Sequence, residues 1–179
     1  MAKLLYLSIK TWQDIQTSVA FLFTRVKLTN EDDYKKLTRV MQYLCSTKDL
    51  TLIIEPKKHP NWWFDGSYTV HPDMWSHSGI VMPFRKGTSY SSSCKQKLYT
   101  KSPSETEIVV IDDAIGQVLQ TRHFLAAQVV LIPVTTIYQD NRSTILLAEN
   151  GKGSSSRYTR DLDVRYFFIT DKIKKERSR

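Results

Sequence analysis

Hydrophobic positions in the first 50 residues recur at helical spacing. One helix is predicted between Asp14 and Lys27, and its apolar positions are Ile15, Val19, Leu22, Phe23 and Val26. A second helix is predicted to begin near the polar residues 29–33, whose acids suit a helix N-terminus, and it carries Leu37, Val40, Met41 and Leu44. Because a short polar turn joins them, these helices form a predicted N-terminal helical hairpin.

After residue 60 the pattern changes to aromatic and β-branched runs that are typical of strands. Residues 51–54 already form a short apolar run that suits a strand, and the proline- and lysine-rich stretch 55–60 marks a boundary. Three strands are then predicted, at Asn61–Val70, Gly79–Phe84 and Thr88–Ser93. Their short connections predict an antiparallel meander.

The longest predicted helix follows the meander. Ser102 as N-cap, Pro103 at the first helical position and Glu105 as a capping-box acid define its start. This register leaves Glu107 without a capping role. The apolar stripe that predicts the helix consists of Ile108, Ile111, Ile115, Val118 and Leu125, with Arg122 on the same face.

The remaining elements are a strand at Val134–Tyr138, a helix at Ser143–Glu149 closed by Gly151, and a last helix at Asp161–Lys175. Residues 151–156 are rich in Gly and Ser but lack P-loop spacing, so they are interpreted as a flexible linker. The right-handed crossover rule places the fourth strand beside the first and parallel to it. The predicted fold is therefore α/β with a mixed sheet.

Asp65 lies inside the first predicted strand, where a buried carboxylate is costly without a compensating partner. One interpretation is a strand end, with Asp65 and Gly66 starting a hairpin turn. The other is a ligand site at the carboxyl ends of the parallel strands, where ligands of open α/β sheets bind.

Two further acids are expected at that edge. Asp140 follows the fourth strand, and Glu107 lies on the first turns of the crossover helix. Adjacent strands about 4.8 Å apart would hold Asp65 and Asp140 close together. Three converging carboxylates repel each other unless cations lie between them, which points to Mg²⁺ or Mn²⁺. In enzymes that cut phosphodiesters, pairs of such ions activate the attacking water and stabilise the leaving oxygen.

The composition and the charge of the chain fit a nucleic acid as its partner. With 41% hydrophobic and 25% charged residues the chain has the balance of a soluble globular protein. The net charge of +8 favours a nucleic acid as partner, although residues 172–179 alone contribute five cations against one acid. No signal sequence and no apolar run long enough to cross a membrane is found, so an intracellular location is expected.

The cysteines, histidines and tryptophans have simpler structural explanations. Cys45 and Cys94 have no metal-ligand spacing and are expected to be reduced thiols. Surface or capping roles are predicted for His71, His77 and His123. Trp62 and Trp63 are predicted to pack against the core, which leaves Trp75 as the better base-stacking candidate.

Six motifs, in order, resemble the ribonuclease H region of copia-type retrotransposon polyproteins. They are Trp63–Tyr68, Ser76–Gly79, Tyr90–Lys97, Ser104–Glu107, Ile137–Ser143 and Leu162–Ile169. Upstream, three segments resemble the part of reverse transcriptase that joins the polymerase to that region: Leu4–Leu7, Gln13–Ile15 and Arg39–Leu50. The resemblance implies residues 1–58 as a connection remnant and residues 59–179 as a ribonuclease H-like domain.

The resemblance also implies an activity, the metal-dependent cleavage of RNA in RNA–DNA hybrids. Asp65, Glu107 and Asp140 match the first three catalytic, metal-binding acids of the family. No segment matches the polymerase's Asp-Asp motif, so no DNA synthesis is expected.

The main departure from the family lies at the C-terminal end. The fifth strand and the helix with the fourth carboxylate have no match, and Asp163 corresponds to a capping position. A sheet without its fifth strand would expose an edge to another chain. Impaired activity is therefore expected, and the alternatives are an inactive nucleic-acid-binding module or a non-functional retroelement relic.

Overall fold

A computed structural model describes residues 1–55, 60–130, 135–150 and 171. Its helices are α1 (Ala2–Lys10), a 3₁₀ turn (Gln13–Ile15), α2 (Gln16–Thr24), α3 (Glu31–Ser46), α4 (Pro103–Ala127) and α5 (Arg142–Asn150). Its strands are β1 (Asn61–Ser67), β2 (His77–Phe84), β3 (Gly87–Lys95) and β4 (Thr136–Tyr138). The protein is α/β, with helices on a four-stranded mixed sheet.

The N-terminal helices pack around a small core of their own. The predicted pair is present as α2 and α3, and α3 begins with a complete capping box between Asn30 and Asp33. Helix α1 was not predicted, although it has the same nine-residue length as α2. The buried residues of this core are Ile15, Val19, Leu22 and Val40, with Leu4 and Leu5 of α1 against them.

The prediction of a strand at residues 51–54 is wrong. This segment has no regular structure and passes beside the turn between β2 and β3. A Cβ atom at Gly87 would lie 2.3 Å from the Ile53 carbonyl oxygen, so only glycine permits this approach. Glu55 forms ion pairs with Arg85 and Lys86 of the same turn. The apolar run therefore covers the end of a hairpin instead of joining the sheet.

The sheet has the strand order β3-β2-β1-β4. The pairs β1–β2 and β2–β3 are antiparallel, which confirms the meander, and β1–β4 is parallel as predicted. Asp65 and Gly66 pair with Gly79 and Ser78 inside β1, so the hairpin-turn interpretation is wrong. Within the described ranges β4 pairs only with β1 and forms one edge.

Helix α4 packs across one face of the sheet and completes the larger core. The Ser102 hydroxyl accepts the Glu105 N–H, as the sequence predicts. Glu105, however, accepts the N–H of Lys101 and not that of Ser102, so the capping box is not reciprocal. The core joins Trp62, Phe64, Ile80 and Met82 of the strands to Ile108, Val110, Ile111, Ala114 and Val118 of α4. No helix in the described part of the chain is long and apolar enough to cross a membrane.

A buried histidine pair connects the sheet to helix α2. His71 and His77 are only 3% and 8% exposed, so the predicted surface or capping roles are wrong for both. Their Nε2 and Nδ1 atoms are 3.0 Å apart, and His77 Nε2 lies 2.7 Å from the Ser93 hydroxyl. That hydroxyl donates to Thr17 of α2, while the His71 ring stacks on Phe21.

The pair makes stability depend on pH. Burial, and then the neighbouring His71, lowers the pKa of His77 to about 4, against about 6.5 in an unfolded chain. The unfolded chain therefore binds more protons between these values, and acidification should cost roughly 3 kcal/mol between pH 6.5 and 4. We expect His77→Gln to flatten this part of the curve in urea unfolding. The exposed His123 is the control, because His123→Gln should leave the slope unchanged, and equal slopes in both variants would contradict the prediction.

Several predictions lie outside the described residues. These are the boundary at 56–59, the start of the fourth strand at Val134, the linker 151–156 and, apart from Asp171, the helix Asp161–Lys175 with Asp163. The division of the chain at residue 58 likewise stays a prediction.

Candidate metal centre

Two of the three predicted acids are placed by the parallel strand pair. Trp63 of β1 lies beside Tyr138 of β4. Asp65 and Asp140 each follow two residues later, so both lie level at the carboxyl ends of adjacent strands. Both side chains are exposed and open to solvent.

Glu107 reaches the same point from the start of α4. Its side chain is buried, with 6% of the residue exposed, and it lies against β1. A Cβ atom at Gly66 would come within 2.9 Å of the Thr106 methyl group and 3.1 Å of the Glu107 carboxyl group. The glycine after Asp65 therefore has a packing role, because it lets the helix bring its acid close to the strand.

A buried hydroxyl cluster fixes the first turn of α4. The Thr106 hydroxyl lies 2.8 Å from the Thr100 hydroxyl and 3.1 Å from the Ser76 hydroxyl, which is itself 2.8 Å from Thr100. Gln96 donates to the Thr106 carbonyl oxygen and to Ser78 of β2. These bonds hold the backbone beside Glu107 against the sheet, so its carboxyl group has little freedom to move.

The three predicted acids meet. Asp65, Glu107 and Asp140 each present a carboxylate oxygen, and these atoms all lie within 4.8 Å of one another. Opposite oxygen ligands of an octahedral Mg²⁺ are about 4.2 Å apart, so the spacing is close to what such an ion needs. Hard carboxylate oxygens are also the donors that Mg²⁺ and Mn²⁺ prefer. The cluster can hold a metal ion.

The surroundings of Glu107 disfavour its ionised form when no cation is present. Burial is the main cause that raises its pKa, and the charges of Asp65 and Asp140 act in the same direction. Hydrogen bonds from Gln139 and from the Gly66 backbone N–H oppose this rise in pKa. A divalent cation would stabilise the ionised form and remove the repulsion.

Gln139 was missed by sequence reasoning. Its Nε2 donates to Glu107 Oε2 at 2.9 Å, and its Oε1 accepts the Asn141 N–H at 3.1 Å. Asn141 in turn caps α5 by accepting the Thr144 N–H. The carboxamide thus links the helix that carries Glu107 to the turn that carries Asp140. Only its position next to Asp140 signals this role in the sequence.

Removing this link should weaken metal binding without removing a ligand. We expect Gln139→Ala to lower the affinity for Mn²⁺ roughly tenfold, because partners that orient metal ligands typically contribute 10- to 100-fold. Calorimetric titration with Mn²⁺ measures the dissociation constant directly. Gln120→Ala, at an exposed position on α4, is the matched control. Equal dissociation constants for the two variants would show that Gln139 does not position Glu107.

The aromatic residues of β1 are divided between the two faces of the sheet. Trp62 is fully buried in the core, as predicted. Trp63 is 40% exposed, so the prediction that it packs against the core is wrong, and its ring stacks on Tyr138 at 4.7 Å between centroids. Trp75 packs edge-on against Tyr99, with the Lys95 ammonium group above it.

No protein-family model matches the chain, and no solved structure matches it either. Any functional assignment therefore depends on the motifs of the sequence and on the geometry of the carboxylate cluster.

Proposed function

We propose that the chain is a ribonuclease H-like, divalent-metal-dependent nuclease that cuts the RNA strand of RNA–DNA hybrids. The observation that carries the proposal is the meeting of Asp65, Glu107 and Asp140 within 4.8 Å. These acids come from three separate segments of the chain, and they are the ones that match the family's catalytic positions. The parallel β1–β4 pair, with α4 between these strands along the chain, further supports the proposal.

The three acids would have different roles in binding the metal and the substrate. Asp65 and Asp140 are exposed and can meet a phosphodiester that approaches from solvent. Glu107 is buried and held by Gln139 and Gly66, so it supplies a fixed ligand. Bound Mg²⁺ would activate water and stabilise the charge that develops on the leaving oxygen. Without cations, three carboxylates would repel the phosphates of the substrate.

We also propose that the chain derives from the C-terminal part of a copia-type reverse transcriptase. Two observations support this origin. The six motifs occur in the family's order along the sequence, and several of them lie in a sheet with the strand order β3-β2-β1-β4. The net charge of +8 suits a polyanionic substrate.

The test is cleavage of a labelled RNA–DNA hybrid in Mg²⁺ or Mn²⁺, with the wild-type chain beside Asp65→Asn. Cleavage confined to the RNA strand, abolished by EDTA and by the substitution, would support the proposal. Indistinguishable traces from the two proteins would refute it. A wild-type chain that binds the hybrid and leaves it intact would instead favour a module that binds without cutting.

A further inference from the structure

The N-terminal helices and the sheet meet at a polar junction. Among the described residues, the buried core of these helices and the buried core formed by the sheet and α4 share no residue. The contacts that join them include the Gln16 side chain, which donates to the Ser91 carbonyl oxygen, and the Ser93 hydroxyl, which donates to Thr17. A cavity of about 750 Å³ lies between α2, α3 and the end of β1. The junction therefore depends more on polar groups than on a shared apolar core.

The histidine pair lies at this junction, and its hydrogen bonds assign the tautomers of both rings. Because Ser93 gives its one hydroxyl hydrogen to Thr17, it accepts a hydrogen bond from His77 Nε2. The neutral His77 then accepts at Nδ1 from His71 Nε2. His71, whose ring stacks on Phe21 of α2, is left with a buried lone pair on Nδ1 that has no partner among the described residues.

The pair has no satisfactory place for an additional proton. A proton on His77 Nδ1 would face the N–H of His71 and break the hydrogen bond between the rings. A proton on His71 Nδ1 would be a buried donor without an acceptor. In both cases the pair would carry a buried charge, which is costly unless an acid compensates it. Proton uptake therefore opposes the docked arrangement of α2 on the sheet.

The charged groups around the pair do not compensate such a charge. Burial, and then the charge of Lys95, lowers the pKa of His71, and Asp73 opposes this effect only in part because it is bonded to Lys95. From α3, the Lys36 ammonium group lies 5.0 Å from the centre of the Phe21 ring on which His71 stacks. The cavity beside the pair is lined by three further charged or titratable groups, Asp14, Arg39 and Tyr43. The acid among these three is bonded to the phenol.

We propose that the histidine pair is an acid-sensitive switch, in which uptake of a proton releases the N-terminal helices from β3 while the sheet and α4 stay folded. In the released form both rings reach solvent, so each ring can be protonated without leaving a buried group unpaired. The N-terminal helices keep their own core in this form, because that core shares no buried residue with the sheet among the described residues. The proposal concerns the fold and does not rest on the proposed function.

The direction and the size of the effect follow from proton linkage. Burial, and then His71, lowers the pKa of His77 to about 4 in the docked form, against about 6.5 for a histidine in solvent. The released form therefore binds more protons between these values, and docking weakens as the pH falls from about 6.5 toward about 4. Between about pH 7.5 and 5.5, the ratio of released to docked molecules should rise about tenfold for His77 alone.

Hydrogen exchange of the wild-type chain tests the proposal at these two pH values, after correction for the intrinsic effect of pH on exchange. We expect the protection of amides in α2 to fall about tenfold at the lower pH and to depend little on low concentrations of urea, because release exposes little surface. Amides in the buried part of α4 should be more protected and should show the steep urea dependence of global unfolding.

Two outcomes of this comparison would overturn the proposal. If α2 and α4 had equal protection and equal urea dependence, α2 would open only when the whole chain unfolds. If the protection of α2 did not change with pH, the pair would not control the release.

His77→Gln shows whether the pair is responsible, because a carboxamide offers a donor and an acceptor but does not titrate in this range. We expect this variant to lose most of the pH dependence of protection in α2. His123→Gln is the matched control, since His123 is exposed on α4, and it should keep the wild-type dependence. Equal pH dependence in the two variants would refute the switch. The wild-type comparison is decisive by itself should His77→Gln not fold.

Discussion

Replacing Asp65 with asparagine should lower the rate of hybrid cleavage about a thousandfold. Asp65 is one of three carboxylates whose oxygens lie within 4.8 Å of one another. Asparagine keeps the shape but loses the charge that holds a divalent cation. A bound metal ion stabilises a transition state by several kcal/mol, and about 4 kcal/mol corresponds to a thousandfold change in rate. Single-turnover cleavage of a labelled hybrid in Mg²⁺ measures the effect.

Two comparisons separate this loss from damage to the fold. Asp32→Asn removes a carboxylate from the exposed first turn of α3, and it should cut at the wild-type rate. Asp65→Asn should also keep the wild-type melting temperature, because the side chain is exposed and replacing it relieves repulsion within the cluster. If Asp65→Asn cut as fast as Asp32→Asn, the cluster would not be the catalytic centre.

The largest loss of stability is expected from Trp62→Ala. Trp62 is fully buried, and it packs beside Phe64 and Tyr90. Truncating a buried tryptophan leaves a large cavity and typically costs 3–5 kcal/mol, or about 10 °C in melting temperature for a chain of this size. Urea unfolding monitored by circular dichroism gives the free energy of unfolding for each variant.

The adjacent tryptophan provides the comparison. Trp63→Ala removes the same side chain from the exposed face, where it stacks only partly on Tyr138, and it should cost about 1 kcal/mol. Trp62→Phe should fall between the two. It leaves a smaller cavity and removes a buried indole N–H that has no hydrogen-bond partner among the described residues. Equal losses for Trp62→Ala and Trp63→Ala would contradict the division of β1 into a core face and an open face.

The sheet and the carboxylate cluster were accessible from the sequence because each depends on a simple rule. The strand-forming runs and their short connections fixed the meander, and the crossover rule placed the fourth strand beside the first. That order alone brings Asp65 and Asp140 to one edge. The failures involve interactions that no local pattern records. Residues 51–54 have the composition of a strand, but they cover the turn at Gly87 instead.

The histidine pair and Gln139 are single-residue examples of interactions that local sequence patterns do not predict. The sequence places His71 in a loop and His77 at the start of a strand, and these positions suggested surface or capping roles. The two histidine rings become buried between the sheet and α2 only when the helices pack on the sheet. Gln139 bonds to Glu107, which is 32 residues away, and the only sequence signal for this hydrogen bond is the position of Gln139 next to Asp140.

The sequence by itself determined which residues form most of the helices and strands, how the strands are ordered, and which three acids approach one another. These properties follow from the periodicity of apolar residues and from the handedness of the chain, which are local or topological. Only the tertiary structure decided how close the acids come, and that Glu107 is buried and held by Gln139. Distances and burial depend on side chains from distant segments packing together, and that packing is fixed only when all the elements are in place.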